Sequence, residues 1–489
     1  MIGKVLVANR GEIAVRVMRA CQEMDIVTVA VYSDVDERAL FVKMADEAVN
    51  IGPPAAGMSY LNQERIIAAA SESGADAIHP GYGFLAENAG FVRRCDAAGI
   101  AFIGPPASAM EAMGDKVSAR ATVSAAGVPI VPGTPPITDP EDGKRFAAEV
   151  GLPVLVKAAA GGGGIGMRVV QEMKDLIPAI ESCQSTAKSA FGDATVYIEK
   201  YVEEPRHVEI QVIADAHGNY RHLGERECSI QRRHQKLIEE SPSPALTPEL
   251  RQRMGSAAVE AARAAGYVNA GTIEFIFSRG EFYFLEMNTR LQVEHPVTEL
   301  VTGIDLVKTQ IRVAQGEKLS FQQDDVTQRG WAVEFRVNAE DAERDFMPAP
   351  GRITRYHEPG GFGVRVDSGV YAGYTIPPYY DSMMAKLIAW GRDRDEAVAR
   401  GRRALGEFVI GGVKNNIPLH LAITEEEDFR QGKLTTHFIP DHPRVIDRTA
   451  ELVAAGPGLD LGSSDGARVA ATAAALHHAG ASTVVSTAQ

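Results

Sequence analysis

Val154-Leu155-Val156-Lys157, Ala158-Ala159-Ala160-Gly161-Gly162-Gly163-Gly164-Ile165-Gly166 and Met167-Arg168-Val169-Val170 follow one another without a break, two short strand-forming runs around five glycines in six positions. Without a Cβ to hold the chain away, the amides of such a loop can approach a polyanion closely. It is not a P-loop, because Gly-Lys-Ser/Thr is missing and the loop leads into a strand rather than a helix. A strand–glycine loop–strand hairpin can instead close over nucleotide phosphates as a flap, with Lys157 beside it as a point cation. Taken alone, the stretch is equally compatible with a flexible surface loop.

Upstream, strand and helix signals alternate. Lys4 to Ala8 reads as a buried strand, Gly11 opens a helical pattern through Val15, Met18 and Cys21, and Ile26 to Tyr32 is a second strand. Ile66 to Ala70 sits in a helix leading to Asp76-Ala77-Ile78-His79, and Ala101 to Gly104 closes the series. This alternation implies a parallel sheet. The lobe is Rossmann-like, yet no Gly-x-Gly-x-x-Gly follows its first strand, which counts against a dinucleotide. Gly127-Val128-Pro129-Ile130-Val131-Pro132-Gly133 begins a second unit. Strand-like runs then recur at Val196 to Tyr201, His207 to Ile213, Thr272 to Phe277, Phe282 to Met287 and Ala332 to Asn338, and suggest one large antiparallel sheet. The last forty-one residues, from Thr449, hold twelve alanines, no lysine and four charges, so a mobile tail is expected, with one short helix near Ala470 to Leu476.

The 489 residues suggest about three domains at roughly 150 residues each, and a core large enough to need no staples. The net charge of −14 opposes nucleic acid or an anionic membrane as the main partner. Cys21, Cys95, Cys183 and Cys228 show no metal or disulfide spacing and read as buried thiols of a reducing compartment, so a cytoplasmic protein is expected. The N-terminus does not read as a signal peptide, and no apolar run reaches the roughly 18 residues of a membrane span.

In His207-Val208-Glu209-Ile210-Gln211-Val212-Ile213, alternation puts His207, Glu209 and Gln211 on one face, which for a lone strand reads as solvated. Thr272 to Phe277 and Phe282 to Met287 flank a turn centred on Arg279-Gly280-Glu281. A three-residue loop with Gly280 left-handed places Glu274 opposite Glu286, with Asn288 following on that face. Two carboxylates in apolar company repel unless a cation sits between them, and these hard oxygens suit Mg²⁺. If Thr289 to Glu294 is extended, Arg290, Gln292 and Glu294 project to one side, a set that suits a small oxyanion and a general base. Arg336 is aimed with the polar face of Glu334 to Asn338, where a surface ion pair is the alternative. Gln231-Arg232-Arg233-His234-Gln235-Lys236 is a basic run that either binds a small anion or is structural.

Together with Ala8-Asn9-Arg10-Gly11-Glu12-Ile13-Ala14, with His79-Pro80-Gly81-Tyr82-Gly83-Phe84-Leu85-Ala86-Glu87-Asn88, and with Pro377-Pro378-Tyr379-Tyr380-Asp381-Ser382-Met383, these segments resemble the biotin carboxylases of the ATP-grasp superfamily, from Gly3 to about Arg444. The resemblance implies an α/β and α+β chain. Its parts are a Rossmann-like domain (1–113), an ATP-grasp domain (114–333) with a glycine-loop lid at about 130–202, a C-terminal domain (334–446) with a mixed antiparallel sheet, and an Ala-rich flexible tail (447–489).

By the same resemblance, Lys116, Lys157 and His207 meet the ATP phosphates under the loop of Gly161, Gly162, Gly163, Gly164 and Gly166. Glu199, Lys200 and Val202 border the adenine, and Gln231 and His234 line the nucleotide site. Glu274, Glu286 and Asn288 hold Mg²⁺ or Mn²⁺. Lys236, Arg290, Gln292 and Val293 bind bicarbonate, Glu294 is the base, Arg336 stabilises the biotin enolate, and Tyr82 and Glu87 lie toward the biotin pocket. The family usually has Arg or Lys where Ile165 stands, which puts a lid–phosphate contact in question. No lysine follows Lys433, so biotin is expected on a separate carrier protein, the biotin carboxyl carrier protein. The other expected partners are a second copy of the chain, forming a homodimer, and a carboxyltransferase. An acyl-CoA carboxylase is the expected system, with a pyruvate carboxylase or another ATP-grasp carboxylate ligase as alternatives.

Overall fold

The structure, a computed structural model, describes residues 1–137, 139–158, 167–191, 194–233 and 235–455. The expected loop residues Gly161, Gly162, Gly163, Gly164, Ile165 and Gly166, together with His234 and the stretch from 456 on, lie outside the described residues. So does the side chain of Lys116, whose backbone opens helix Lys116–Ala125.

The first lobe is a five-stranded sheet in the order Glu47–Gly52, Val27–Ser33, Lys4–Val7, Ala77–His79, Ala101–Phe102. Every pair is parallel, as expected from the strand–helix alternation. Helix Gly11–Gln22 buries Ile13, Val17 and Cys21, but also Glu12 and Arg16. The polar side is covered because this helix also meets the strands of the large sheet, a packing that periodicity within the helix does not reveal.

The lid is a three-stranded antiparallel sheet with Val154–Ala158 between Met167–Val170 and Val196–Lys200. Val154, Val156, Val196 and Ile198 pack with Leu176 and Ile180 of helix Leu176–Phe191 in a core of their own. Val196 to Tyr201 is therefore not part of the large sheet, contrary to expectation. Its apolar residues match those of Val154–Ala158 in register, and Glu203-Glu204-Pro205 separates it from the next strand.

The large sheet has eight antiparallel strands in the order Glu281–Asn288, Asn269–Ser278, Arg206–Ala214, Tyr220–Arg232, Gln235–Ser241, Trp331–Asn338, Met383–Gly391, Val364–Ser368. The expected division at 333/334 falls inside the sixth of these. On one face Val208, Ile210, Val212, Ile273 and Phe275 pack against Met254 and Ala258 of helix Pro248–Ala264. Helix His295–Thr302 lies against the other face, where it meets four of the strands. That face carries the site.

Residues 447–455, expected to begin the flexible tail, instead belong to helix Arg444–Ala455. Val445, Thr449 and Leu452 form one buried stripe, and Arg448 Nε lies 2.8 Å from Glu425, so a single apolar face suffices to dock this segment. No helix among the described residues is long and apolar enough to cross a membrane.

Candidate functional site

The acidic hairpin reaches the expected pairing by a different route. Its turn has two residues rather than three, Arg279 and Gly280, both left-handed at φ 51° and 85°, which matches strand twist. A two-residue turn alone would set Glu274 opposite Leu285. A bulge at Leu285 inserts one residue, and Glu274 pairs with Glu286 and Thr272 with Asn288. The two shifts cancel. Glu274, Glu286 and the Asn288 amide offer the hard oxygens a divalent cation takes, so the donor set fits Mg²⁺.

Around Glu274 the polar contacts are dense. Its Oε1 accepts from Lys236 Nζ (3.0 Å), Asn288 Nδ2 (2.9 Å) and Gln292 Nε2 (3.0 Å). His207 Nε2 lies 3.1 Å from Oε2, an ion-pair contact rather than an aligned hydrogen bond. Burial would push the His207 imidazole down, but the carboxylates of Glu274 and Glu209 outweigh it and raise it to about 9. Burial likewise opposes the charge on Glu274, yet Lys236 and His207 hold it well below the ordinary range. A histidine raised in this way adds stability that is complete below its ordinary value and is lost as pH rises through about 9. A cation at Glu274 removes the charge that raises His207. Adding Mg²⁺ to the protein at pH 8 is therefore expected to release protons, measured by calorimetry in two buffers of different ionisation enthalpy. Equal release by His207→Asn would contradict this.

Lys236 arrives by the hairpin of Tyr220–Arg232 and Gln235–Ser241, where it sits opposite Gln231. Its Nζ lies 2.6 Å from Glu209, 3.0 Å from Glu274 and 2.6 Å from Glu294. The basic run is thus divided. Arg233 donates to Asp345 at 2.6 Å, and the Arg232 guanidinium stacks 4.3 Å over Phe346, away from the carboxylates.

Thr289 to Glu294 is not an extended strand. Glu294 immediately precedes helix His295–Thr302 without a side-chain capping bond, and Pro296 lies in its first turn, where a missing N–H costs nothing. The side chains converge all the same. Glu294 meets Lys236 through Oε1 and Arg336 through Oε2 at 2.9 Å. Arg290 Nε donates to Glu87 at 2.8 Å, and its Nη2 donates to Asn288 Oδ1 at 3.1 Å. The Val293 carbonyl accepts from Lys386 Nζ at 3.0 Å. Burial opposes ionisation of Glu294, but Lys236, Arg336 and Arg226 hold the carboxyl below its ordinary range.

The face of His207, Glu209 and Gln211 is not solvated: Glu209 and Gln211 are 0% exposed. Arg226, also fully buried, explains why. Its Nε donates to Glu209 (2.6 Å), Nη1 to Gln211 (2.6 Å) and Thr298 (3.1 Å), and Nη2 to Thr272 (2.9 Å) and Gln292 (3.3 Å). Sequence reasoning missed Arg226, Glu239 and Lys386. A charged residue within an alternating strand, as in Glu225-Arg226-Glu227, is the one signal that could have flagged the first.

Other expected residues lie apart from this cluster. Lys157 Nζ, expected at a phosphate, is 2.5 Å from Glu199, which Arg120 also approaches at 3.0 Å. Lys200 lies 3.6 Å from Glu281, and Val202 follows in the connection to Arg206–Ala214. The Tyr82 hydroxyl donates to Glu12, whose other oxygen lies 3.1 Å from Lys386.

A parallel lobe, a three-stranded lid and a large antiparallel sheet with a buried carboxylate–cation cluster define an ATP-grasp enzyme. Family models match in tandem: biotin carboxylase N-terminal domain over 1–110, carbamoyl-phosphate synthase L chain ATP-binding domain over 115–322, and biotin carboxylase C-terminal domain over 334–441. The chain is 61% identical over 448 residues to a pyruvate carboxylase subunit of Methanothermobacter thermautotrophicus, covering 91% of each. It is 58% identical over 442 residues to biotin carboxylase 1 of Bacillus subtilis, covering 90% of this chain and 98% of that one. The biotin carboxylase domain dimer of Hydrogenobacter thermophilus 2-oxoglutarate carboxylase, solved with MgADP, ADP and bicarbonate, matches at TM-score 0.82 and 52% identity, over 91% of this chain and 99% of that one. The chain belongs to the biotin carboxylase family and is an ATP-dependent ligase.

Proposed function

We propose that the protein carboxylates biotin on a separate carrier protein, consuming ATP and bicarbonate and passing through carboxyphosphate. The observation that carries this reading is the convergence of Lys236 and Arg336 on the buried carboxylate of Glu294. Lys236, Arg290, Gln292 and the Val293 backbone orient bicarbonate, and Glu294 takes its proton, because bicarbonate itself is a poor nucleophile. Bicarbonate oxygen then attacks the γ-phosphoryl group, the β,γ-bridging P–O bond breaks, and ADP leaves with its electron pair. Lys116, Lys157, His207 and the glycine-loop amides hold the phosphates, Glu199, Lys200 and Val202 border the adenine, and Gln231 and His234 complete the pocket. Mg²⁺ on Glu274, Glu286 and Asn288 supplies charge neutralisation at the phosphate oxygens. Carboxyphosphate breaks down to CO₂ and phosphate, the phosphate takes the ureido N–H proton, and Arg336 stabilises the enolate that attacks CO₂. Tyr82 and Glu87 flank the biotin. The lid excludes water, which would otherwise hydrolyse carboxyphosphate.

We read 1–113, 114–333 with the lid at about 130–202, and 334–446 as the working domains of a cytoplasmic homodimer that serves a carrier protein and a carboxyltransferase. An acyl-CoA is the first reading for the final acceptor. A 2-oxo acid is the second, favoured by the relatives named for pyruvate and 2-oxoglutarate carboxylases. The deciding experiment is ADP release with MgATP and bicarbonate. Free biotin is expected to accelerate it; ATP binding with no response to biotin would turn the assignment toward another carboxylate ligase.

A further inference from the structure

Behind Arg336 lies a pair of acids that the proposed chemistry does not use. Glu239 and Glu334 are cross-strand partners on Gln235–Ser241 and Trp331–Asn338, and both are 0% exposed. Glu239 Oε1 lies 2.6 Å from Arg336 Nε and 2.5 Å from Nη2. Glu239 Oε2 and both oxygens of Glu334 have no hydrogen-bond partner among the described residues. Three buried carboxylate oxygens without donors cannot all belong to ions, since an unpaired buried charge costs far more than protonation. Among the described residues, the surroundings do not supply the missing donors. The cations facing the pair are Arg336, Lys236 and Lys386, and the acids and thiol are Glu294 and Cys228. Lys236 is taken by Glu209, Glu274 and Glu294, and Lys386 by Glu12, Asp367 and the Val293 carbonyl. Arg336 alone remains, and Glu294 already claims one edge of it.

We propose that Glu334 is a neutral carboxylic acid donating its proton to Glu239 Oε2, and that this pair is the positioning device that orients Arg336 for the biotin step. One proton serves two of the three oxygens as donor and acceptor, and leaves the third as a neutral carbonyl, which costs far less to bury than a charge. It leaves Glu239 a single anion gripping the Nε edge of Arg336, so the Nη2 edge stays turned toward Glu294 and the reacting atoms. The titration tendencies agree: burial pushes Glu334 well above the ordinary carboxyl range and Glu239 up to about 7. The functional half rests on the role of Arg336 proposed above; the protonation half does not.

The test uses the full chain. Infrared spectra in H₂O and D₂O should show a protonated-carboxyl C=O band that vanishes in Glu334→Gln. That variant keeps the shape, neutrality and donor of the acid, so its kcat with MgATP, bicarbonate and biotin should stay within about twofold of wild type. Glu239→Gln, which removes the anion, should lower biotin-dependent kcat by about tenfold or more with the KM for ATP unchanged. A band absent from wild type, or surviving in Glu334→Gln, overturns the inference even if biotin stimulates turnover normally. Equal loss of activity in the two variants overturns it as well, because Glu334 would then be ionised. A wild-type enzyme with the band but no response to biotin sinks the proposed function and the positioning role with it, and leaves the protonated pair standing.

Discussion

Glu294→Gln is expected to lower biotin carboxylation by about 10²–10⁴-fold, the range for removing a positioned general base, with ATP affinity little changed. The proposed base role rests on its setting: it is 1% exposed, held below its ordinary range against the cost of burial, and fixed by Lys236 at 2.6 Å and Arg336 at 2.9 Å. Glutamine keeps the shape and an acceptor oxygen but cannot take a proton. Lys236 retains Glu209 and Glu274, and Arg336 retains Glu239, so neither cation is stranded and the fold should survive. Steady-state kcat for ADP release with biotin, alongside nucleotide affinity by calorimetry, separates the outcomes. Parallel loss of both would make Glu294 a structural residue. Unchanged turnover would place the base elsewhere.

Arg226→Ala is expected to cost about 3–5 kcal/mol of stability, the range for removing one partner of a buried ion pair. Arg226 has no exposed surface and ties four elements together: strands Arg206–Ala214 and Asn269–Ser278, the connection holding Gln292, and helix His295–Thr302. Its loss leaves the Glu209 carboxylate with Lys236 and His207 and takes the donor from Gln211 Oε1 and Thr272 Oγ1. The urea midpoint should fall, and adding Glu209→Gln should restore part of the loss by removing a buried carboxylate whose Oε1 has lost its guanidinium partner. A single-variant effect under about 1 kcal/mol, or no recovery in the double variant, would contradict the account.

What the sequence makes legible follows from where the physics is local. The parallel lobe, the lid strands on either side of the glycines and the Glu274–Glu286 pairing all follow from alternation and turn chemistry. The pairing comes from a three-residue loop on paper and from a two-residue turn plus a bulge at Leu285 in the molecule. Pro296 points to extended chain before it, yet it opens a helix, since proline suits both. The polar face of His207, Glu209 and Gln211 reads as solvated because one strand cannot reveal that helix His295–Thr302 lies over its sheet. Arg226, Glu239, Glu334 and Lys386 stay hidden for the same reason. Each is a charge in a strand, indistinguishable from a surface residue until the covering element is known. The first residues of the expected tail, 447–455, go the other way: composition argues for mobility, but a buried stripe of Val445, Thr449 and Leu452 docks them in helix Arg444–Ala455.

The most direct measurement counts products. With MgATP, labelled bicarbonate and free biotin, the account predicts labelled carboxybiotin in proportion to ADP formed, and about 10²–10⁴-fold less of it with Glu294→Gln. ADP formed at the same rate without biotin, with the label never reaching it, would contradict the account.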